Sequence, residues 1–379
     1  MHLAVSTDCV SLGLCLMGML VVCVPKAVQA EPSSHSKPLR LGIVGLNHGH
    51  VYVFLDDCSK RTDVEIVGIA DPSENLRKRY QTFHDYPDAI LFADTERMLD
   101  RAKPEAVAVF TDTLAHRAAV EACAERGVDV MMEKPLAVSV EEAQAMAKAA
   151  EKGGIDVIVN YETTWYPNNP AVIKAVCEDK VLGKVHRIVA HHGNRGPKEI
   201  NMPAEFTEWL TDPKRNGGGA LFDFGCYGAN LVTWLMENKR PSSVFAVTQQ
   251  LKDDPTYANV DDEATILLTY PDAQAVLQPS WNWPIDRKDW EIYGEEGSIT
   301  TVDRGAYKHH SRHAAEKLVG ADLLKPPMAD PISYLMAVAR DEIEPKGPSS
   351  LENNLIVTEI LDAARQSAKQ GKAIELVAK

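Results

Sequence analysis

Lys134 sits in Val130-Met-Met-Glu-Lys-Pro-Leu136, where a short apolar run ends in a carboxylate, an ammonium and a proline. Pro135 fixes its φ and offers no N–H, so it sets the direction in which the chain leaves the run. A second cluster is Gly217-Gly-Gly-Ala-Leu-Phe-Asp-Phe-Gly-Cys-Tyr227, in which three glycines let the chain approach a ligand closely before a helix. Asp223 and Tyr227 stand at i and i+4, on one face of that helix. A lysine, a carboxylate and a phenol can hydrogen-bond the hydroxyls of a polyol and relay a proton. Taking hydride from a secondary alcohol needs a base for the hydroxyl proton, and a lysine serves if burial or a nearby cation lowers its pKa. The plainer alternatives are a surface ion pair at Glu133-Lys134 and a Gly-rich loop whose Asp223 merely answers a helix dipole.

The elements that must position these residues are legible on either side. Apolar, β-branched runs over 39–45, 64–70, 106–111, 128–132 and 156–160 alternate with helical stretches over 116–126 and 140–152. That alternation is the signature of βαβ units and a parallel sheet. Ser139 with Glu142 three residues on forms a capping box for the second of those helices. Lys134 then lies on the loop leaving a parallel strand, where open α/β sheets bind their ligands.

After Asn160 the pattern changes to strands over 185–192, 244–251, 264–270, 275–283 and 290–293 without helices between most of them, with a turn at 294–297. This predicts a mostly antiparallel open sheet, carrying a helix over 221–236 and a C-terminal helix over 352–370 stopped by Gly371. Residues 304–327 are polar and rich in Lys and His, and read as a surface excursion. The fold class is thus α/β plus α+β: a doubly wound Rossmann domain over 31–160, then a substrate-binding and oligomerisation domain over 161–379.

The turn after the first strand, Gly45-Leu46-Asn47-His48-Gly49-His50, is an incomplete dinucleotide fingerprint. Gly45 occupies the first glycine position, but Asn47 and His50 stand in the second and third, with Gly49 able to take over part of the close approach. On these residues alone, a nucleotide site and a strand-turn-helix binding something else are equally open. Asp71, closing the second strand, can accept from a ribose hydroxyl and repel a 2'-phosphate, which favours NAD; Arg77, Lys78 and Arg79 close by leave NADP possible. His48, His50, His191, His192, His309, His310 and His313 invite a metal, but adjacent strand residues face opposite ways and no carboxylate lies at a recognised spacing, so none is expected.

With 379 residues, 45% hydrophobic and 25% charged, the chain has room for two cores. A formal charge of -14 with no basic block excludes a counterion-release nucleic-acid surface and disfavours anionic membranes. The apolar run over 10–24 followed by Ala27-Val-Gln-Ala30 has the outline of a leader over 1–30, with a weak start carrying Asp8 and no Lys or Arg. Export to a periplasmic or other extracytoplasmic space is expected, without a membrane span in the mature chain. Of seven cysteines, Cys58, Cys123, Cys177 and Cys226 follow that leader without any C-x-x-C, and burial as small hydrophobes is expected.

The Glu-Lys-Pro loop, the strand-turn-helix before it and the Gly-Gly-Gly to Gly-Cys-Tyr-Gly-Ala-Asn230 segment together resemble the Gfo/Idh/MocA family of nicotinamide-dependent sugar oxidoreductases. Tyr227 stands where many members carry histidine, which is similar to the glucose-fructose oxidoreductase branch. The resemblance covers nearly all of the chain after residue 38. It implies Lys134, Asp223 and Tyr227 as catalytic residues and NAD, or NADP, held by residues 45–50, Asp71, Thr111, His116 and Glu133. His116 could equally cap its helix, and Glu133 either orients Lys134 or touches the cofactor. Glu162 falls where many members place an arginine, and this reversed charge argues for a neutral sugar or glycoside. Trp165, Tyr166, His191 and Trp283 are the remaining substrate-binding candidates, with a homodimer or homotetramer as the expected assembly. An NAD-dependent glycosidase acting by transient ring oxidation, or a non-catalytic sugar-binding relative, is the alternative.

Overall fold

The computed structural model describes residues 37–376; the leader expected over 1–30 lies outside the described residues. Six strands, β1 (Leu39–Val44), β2 (Val64–Ala70), β3 (Leu91–Phe92), β4 (Ala106–Val109), β5 (Asp129–Glu133) and β6 (Val157–Asn160), form one sheet in the order β3-β2-β1-β4-β5-β6. Every neighbouring pair is parallel. Helices cover both faces, which is why β1 and β4 read as near-continuous apolar runs rather than alternating ones. The strand order reverses between β1 and β4, and their loops open into the crevice where such sheets bind ligands. The capping box acts as expected: Ser139 Oγ accepts from the Glu142 amide, and the helix Val140–Gly153 ends at Gly154 with φ 64°.

The second sheet has nine strands: β7 (Val185–Gly193), β8 (Ser243–Gln249), β9 (Glu263–Thr269), β10 (Gln274–Ser280), β11 (Arg287–Gly294), β12 (Gly297–Asp303), β13 (Ala306–Ser311), β14 (Lys317–Gly320) and β15 (Ile374–Glu375). Their order is β14-β13-β12-β11-β7-β10-β9-β8-β15, antiparallel except where β10 runs parallel to β7. Helices Gly225–Leu235 and Leu351–Gln370 pack on one face. The second is capped by Ser350 and stopped by Gly371 at φ 67°. From the other face Phe245, Val247, Tyr293 and Val302 project as exposed side chains.

Two expectations are corrected, and one helix was not anticipated. The polar stretch over 304–327 is largely exposed but is not an irregular excursion: it supplies β13 and the edge strand β14, whose Lys and His content hides the strand alternation. The helix over 221–236 is broken at Phe224, giving Ala220–Asp223 and then Gly225–Leu235. A further helix, Pro331–Ala339, returns to the parallel sheet and buries Ile332, Leu335 and Val338 in one cluster with Leu39, Leu41 and Ile43 of β1. Cys58, Cys123 and Cys226 are buried and unpaired, as small hydrophobes are. Among the described residues no helix is long and apolar enough to cross a membrane.

Candidate active site

The loop after β1 is shaped by contact with the loop after β4. Gly45 has φ 86°, and a Cβ there would lie 2.6 Å from the Thr111 nitrogen and 2.7 Å from the Phe110 carbonyl carbon. Only glycine fits both the dihedral and the space. The Leu46 amide donates to Asp71 Oδ2 at 2.7 Å and the Ser73 amide to Oδ1 at 2.7 Å. Asp71, expected to read a ribose, is therefore also the clamp that ties the loop to the end of β2. Burial raises its pKa against the pull of those two amides.

His48 is turned into an aromatic pocket, with ring centroids 5.0 Å from Phe206, 5.6 Å from Trp209 and 6.4 Å from Phe110. Burial holds its pKa well below the usual imidazole value, so it is neutral. Its Nδ1 accepts from the His50 amide at 3.2 Å, while His50 Nδ1 lies 3.1 Å from Glu133 Oε2 and Asn160 Nδ2 donates to Glu133 Oε1 at 2.9 Å. Burial would raise the Glu133 carboxyl, but its contacts with His50 and the nearby Lys134 ammonium outweigh it and hold the pKa down to about 2. His48, His50 and Glu133 thus present nitrogen and oxygen atoms within 4.8 Å of one another, a grouping that could hold a metal. The carboxylate missing from the chain spacing is Glu133, which arrives from β5. This corrects the ground on which a metal was set aside; the same residues are also linked by hydrogen bonds, His50 to His48 through the His50 backbone amide and to Glu133 through its ring.

Thr111 packs its methyl against Gly45 and donates from Oγ1 to the Asp112 carbonyl at 3.0 Å. His116 is the first residue of its helix, is buried, and does not cap it, the N-cap being Ala115. Its Nδ1 faces the Leu136 carbonyl at 3.1 Å, so Nδ1 carries the proton and Nε2 is a buried acceptor with no partner among the described residues. Burial lowers its pKa and keeps it neutral.

Lys134 leaves β5 beneath these loops and is almost fully enclosed, its side chain 6% exposed and that of Asp223 8%. Its Nζ donates to Asp223 Oδ1 at 2.5 Å and to the Asp223 carbonyl at 3.1 Å, and lies 5.0 Å from the centroid of the Tyr227 ring. Burial acts to lower the lysine pKa, but Asp223 outweighs it and the net direction is up. Lys134 is therefore an ammonium, not the base with a lowered pKa that its burial alone implies. Trp281 Nε1 donates to Asp223 Oδ2 at 2.9 Å and fixes the carboxylate. Tyr227 stacks on His192 at 5.7 Å and meets Tyr161 edge-on at 5.4 Å, and burial drives its phenol well above the ordinary value.

The three glycines are required by close packing within the protein. Gly217 and Gly218 lie against the Phe222 ring, and Gly219 lies against Asp261, whose carboxylate accepts from the Gly219 amide at 2.9 Å and the Leu221 amide at 2.6 Å. Asp261 thus ties down the start of the helix Ala220–Asp223, a contact the sequence did not disclose.

Of the substrate candidates, Glu162 and Tyr166 are at the site and three others are displaced. Tyr166 donates to Glu162 Oε1 at 2.6 Å, and Arg304 Nη2 donates to the same atom at 2.5 Å. Lys288 is bonded to Glu162 Oε2. Burial would raise the Glu162 pKa, yet these partners hold it below the usual value. The reversed charge is thus compensated, and Glu162 alone does not exclude an anionic substrate. Trp165 donates to Asn160 Oδ1 at 2.8 Å and packs on Tyr334, so it is bound into the parallel-sheet side. His191 pairs with Asp289 at 3.3 Å and meets Trp283 edge-on, with Arg287 over the Trp283 ring. Adjacent strand residues face opposite ways, so His192 stacks on Tyr227 while His191 and Trp283 are on the far face.

Residues 39–161 match the family described as oxidoreductase, NAD-binding Rossmann fold, and residues 171–300 match the GFO/IDH/MocA C-terminal domain. The trans-1,2-dihydrobenzene-1,2-diol dehydrogenase of Macaca fuscata fuscata is 25% identical over 211 residues, 56% of this chain and 58% of that protein. The chain therefore spans little more than half the length of that relative. The D-apiose dehydrogenase of Paraburkholderia graminis is 23% identical over 88% of each chain. The aldose-aldose oxidoreductase of Caulobacter crescentus, solved with glycerol, superposes with a TM-score of 0.76 at 22% identity, covering 90% of this chain and 100% of that one, and shares its fold.

Proposed function

Since this chain belongs to the Gfo/Idh/MocA oxidoreductases, whose N-terminal half is an NAD-binding Rossmann fold, we propose that it moves hydride between NAD and a secondary alcohol of an uncharged, sugar-like substrate. The observation that carries the reading is the buried Lys134–Asp223 pair against Tyr227 at the carboxyl end of β5, beside the loops of the topological switch point. NAD, when bound, supplies the hydride acceptor. Residues 45–50 and the unpartnered Nε2 of His116 would hold it, and the positive φ of Gly45 fits a loop wrapped on a pyrophosphate.

In the reducing direction the Lys134 ammonium delivers a proton to the carbonyl oxygen as hydride reaches its carbon. In oxidation the alcohol proton returns to Lys134, which must first release its own proton along the Asp223 and Tyr227 side of the site. Asp223 and Trp281 hold the lysine's direction. The cations nearest Tyr227 are each matched by a carboxylate, Lys134 by Asp223 and Lys288 by Glu162, which suits a neutral polyol better than a sugar acid.

Tight retention of the dinucleotide is part of the proposal. Residues of the second half grip both loops of the crevice: Trp209 donates to the Asn47 carbonyl at 3.1 Å, Met202 packs on Gly49, Arg215 pairs with Asp112 at 2.6 Å and Asn216 meets Thr113 at 3.3 Å. A cofactor seated under such links suits an exported enzyme that regenerates it in place by oxidising one sugar and reducing another carbonyl. Export rests on the apolar run over 10–24, and a homo-oligomer on the apolar residues projecting from the open sheet face. Mass spectrometry of the purified protein should find bound NAD, and stopped-flow mixing with a donor sugar should give one reduction event that a second carbonyl substrate reverses. Rapid exchange with added NAD would overturn in-place cycling. Release of free sugar from a glycoside without net NADH would indicate the glycosidase instead.

A further inference from the structure

We propose that Lys288 is the substrate's second anchor, binding an oxygen of the polyol on the Tyr227 side of the site, and that Glu162 is a positioning residue acting through it. The inference rests on the proposed sugar-like substrate and names the residues that read it. Lys288 stands opposite His192 in the β11–β7 register, so it emerges on the face that carries Tyr227, while its neighbours Arg287 and Asp289 pair with each other on the far face. Its Nζ lies 5.3 Å from the centroid of the Tyr227 ring, the same ring that Lys134 approaches to 5.0 Å. An ammonium has three N–H donors, and Glu162 is the sole hydrogen-bond acceptor of Lys288 among the described residues. The side chain is 24% exposed, so two of its donors remain for an oxygen that approaches beside the Tyr227 ring.

Glu162 is differently placed. Tyr166, Arg304 and Lys288 already occupy both of its oxygens, so little of its accepting capacity is left for a hydroxyl. Tyr166 and Arg304 brace the carboxylate from the side away from Lys288, with the Arg304 guanidinium 4.6 Å above the Tyr166 ring. The result is a rigid acceptor that orients one lysine. Such a cation, fixed before substrate arrives, binds ground state and transition state alike, so its loss should appear in KM rather than kcat.

The test measures binding and turnover of myo-inositol, D-glucose and D-apiose in wild type, Lys288→Met, Lys288→Arg, Glu162→Gln and the Glu162→Gln/Lys288→Met double variant. Methionine keeps the stem, and Tyr166 and Arg304 still satisfy Glu162, so NADH titration and the melting temperature serve as controls for an intact fold. Lys288→Met should raise KM about tenfold to a hundredfold, the worth of one charge-assisted hydrogen bond, with kcat within about threefold. Lys288→Arg should recover part of the loss, and the double variant should be no worse than Lys288→Met alone. Unchanged KM in Lys288→Met on a probe that wild type uses, or a fall confined to kcat, overturns the assignment while leaving the oxidoreductase reading intact. Wild type that neither binds nor oxidises any of the three probes overturns the substrate class and this inference with it.

Discussion

Replacing Asp223 by asparagine should destabilise the protein by about 3–5 kcal/mol near neutral pH, the usual cost of removing one partner from a buried ion pair. The geometry isolates the charge. Trp281 can still donate to the amide oxygen, and the Asp223 carbonyl still accepts from Lys134, so what disappears is the negative charge 2.5 Å from an ammonium that is 6% exposed. The pH dependence gives a second, signed readout. In wild type the folded pKa of Lys134 is raised above its unfolded value of 10.5, so its stabilising contribution is complete below 10.5 and is lost as pH climbs through the folded pKa. Without Asp223, burial dominates and the folded pKa falls below 10.5; stability should then increase as pH rises through it toward the unfolded value. Urea unfolding at pH 7, 8.5 and 10 should therefore show no Lys134-dependent slope in wild type and a rise with pH in the variant. The Asp223→Asn/Lys134→Met double variant removes the stranded charge and should regain most of the lost stability while remaining inactive. A loss below about 1 kcal/mol with a flat pH profile, as for an exposed pair, would refute the reasoning. So would a double variant no more stable than the single one.

Gly45→Ala places a Cβ against backbone at 2.6 and 2.7 Å and should cost about 2 kcal/mol or more together with NADH affinity, whereas Gly49→Ala meets first the mobile methyl of Met202 and should cost under about 1 kcal/mol; thermal unfolding and fluorescence titration separate them. Asp71→Ser should weaken NAD and relax discrimination against NADP, and a wild type that already prefers NADP in direct titration would leave Asp71 only its role as a clamp on Leu46 and Ser73. Glu133 has a folded pKa depressed from 4.5 to about 2, so its contribution is present above pH 4.5 and lost as pH falls toward 2. Glu133→Gln should accordingly flatten the acid limb of the stability curve by about 3 kcal/mol, and an unchanged limb measured by urea unfolding would remove that assignment.

Much of the scaffold is written locally. β4 is buried throughout and β1 is buried apart from Arg40, so their apolar runs are nearly continuous in the chain; Ser139 and Gly371 mark helix ends through hydrogen bonds and dihedrals that involve only nearby residues. Lys134 and Asp223 were legible for the same reason, each sitting in a short motif with its own proline or glycines. The edge strand β14 and its neighbour β13 escaped because both are polar: strands at the exposed end of a sheet need little apolar code.

Chemistry between distant segments was decided by the tertiary structure. The sequence could name Lys134 but not its protonation state, since burial and Asp223 act in opposite directions and only their distance says which prevails. It could present His191 and His192 side by side, yet the face each occupies depends on the register of β7 with β11 and on the helix bearing Tyr227. It showed Glu162 as a reversed charge, whereas Lys288 and Arg304, brought in by β11 and the turn after β12, bind both of its oxygens and compensate it. The sequence by itself determined the strands, the caps and the reactive residue types, because these follow from neighbours along the chain. Charge balance, proton location and side-chain direction are set by neighbours in space, and those exist only once both sheets have formed.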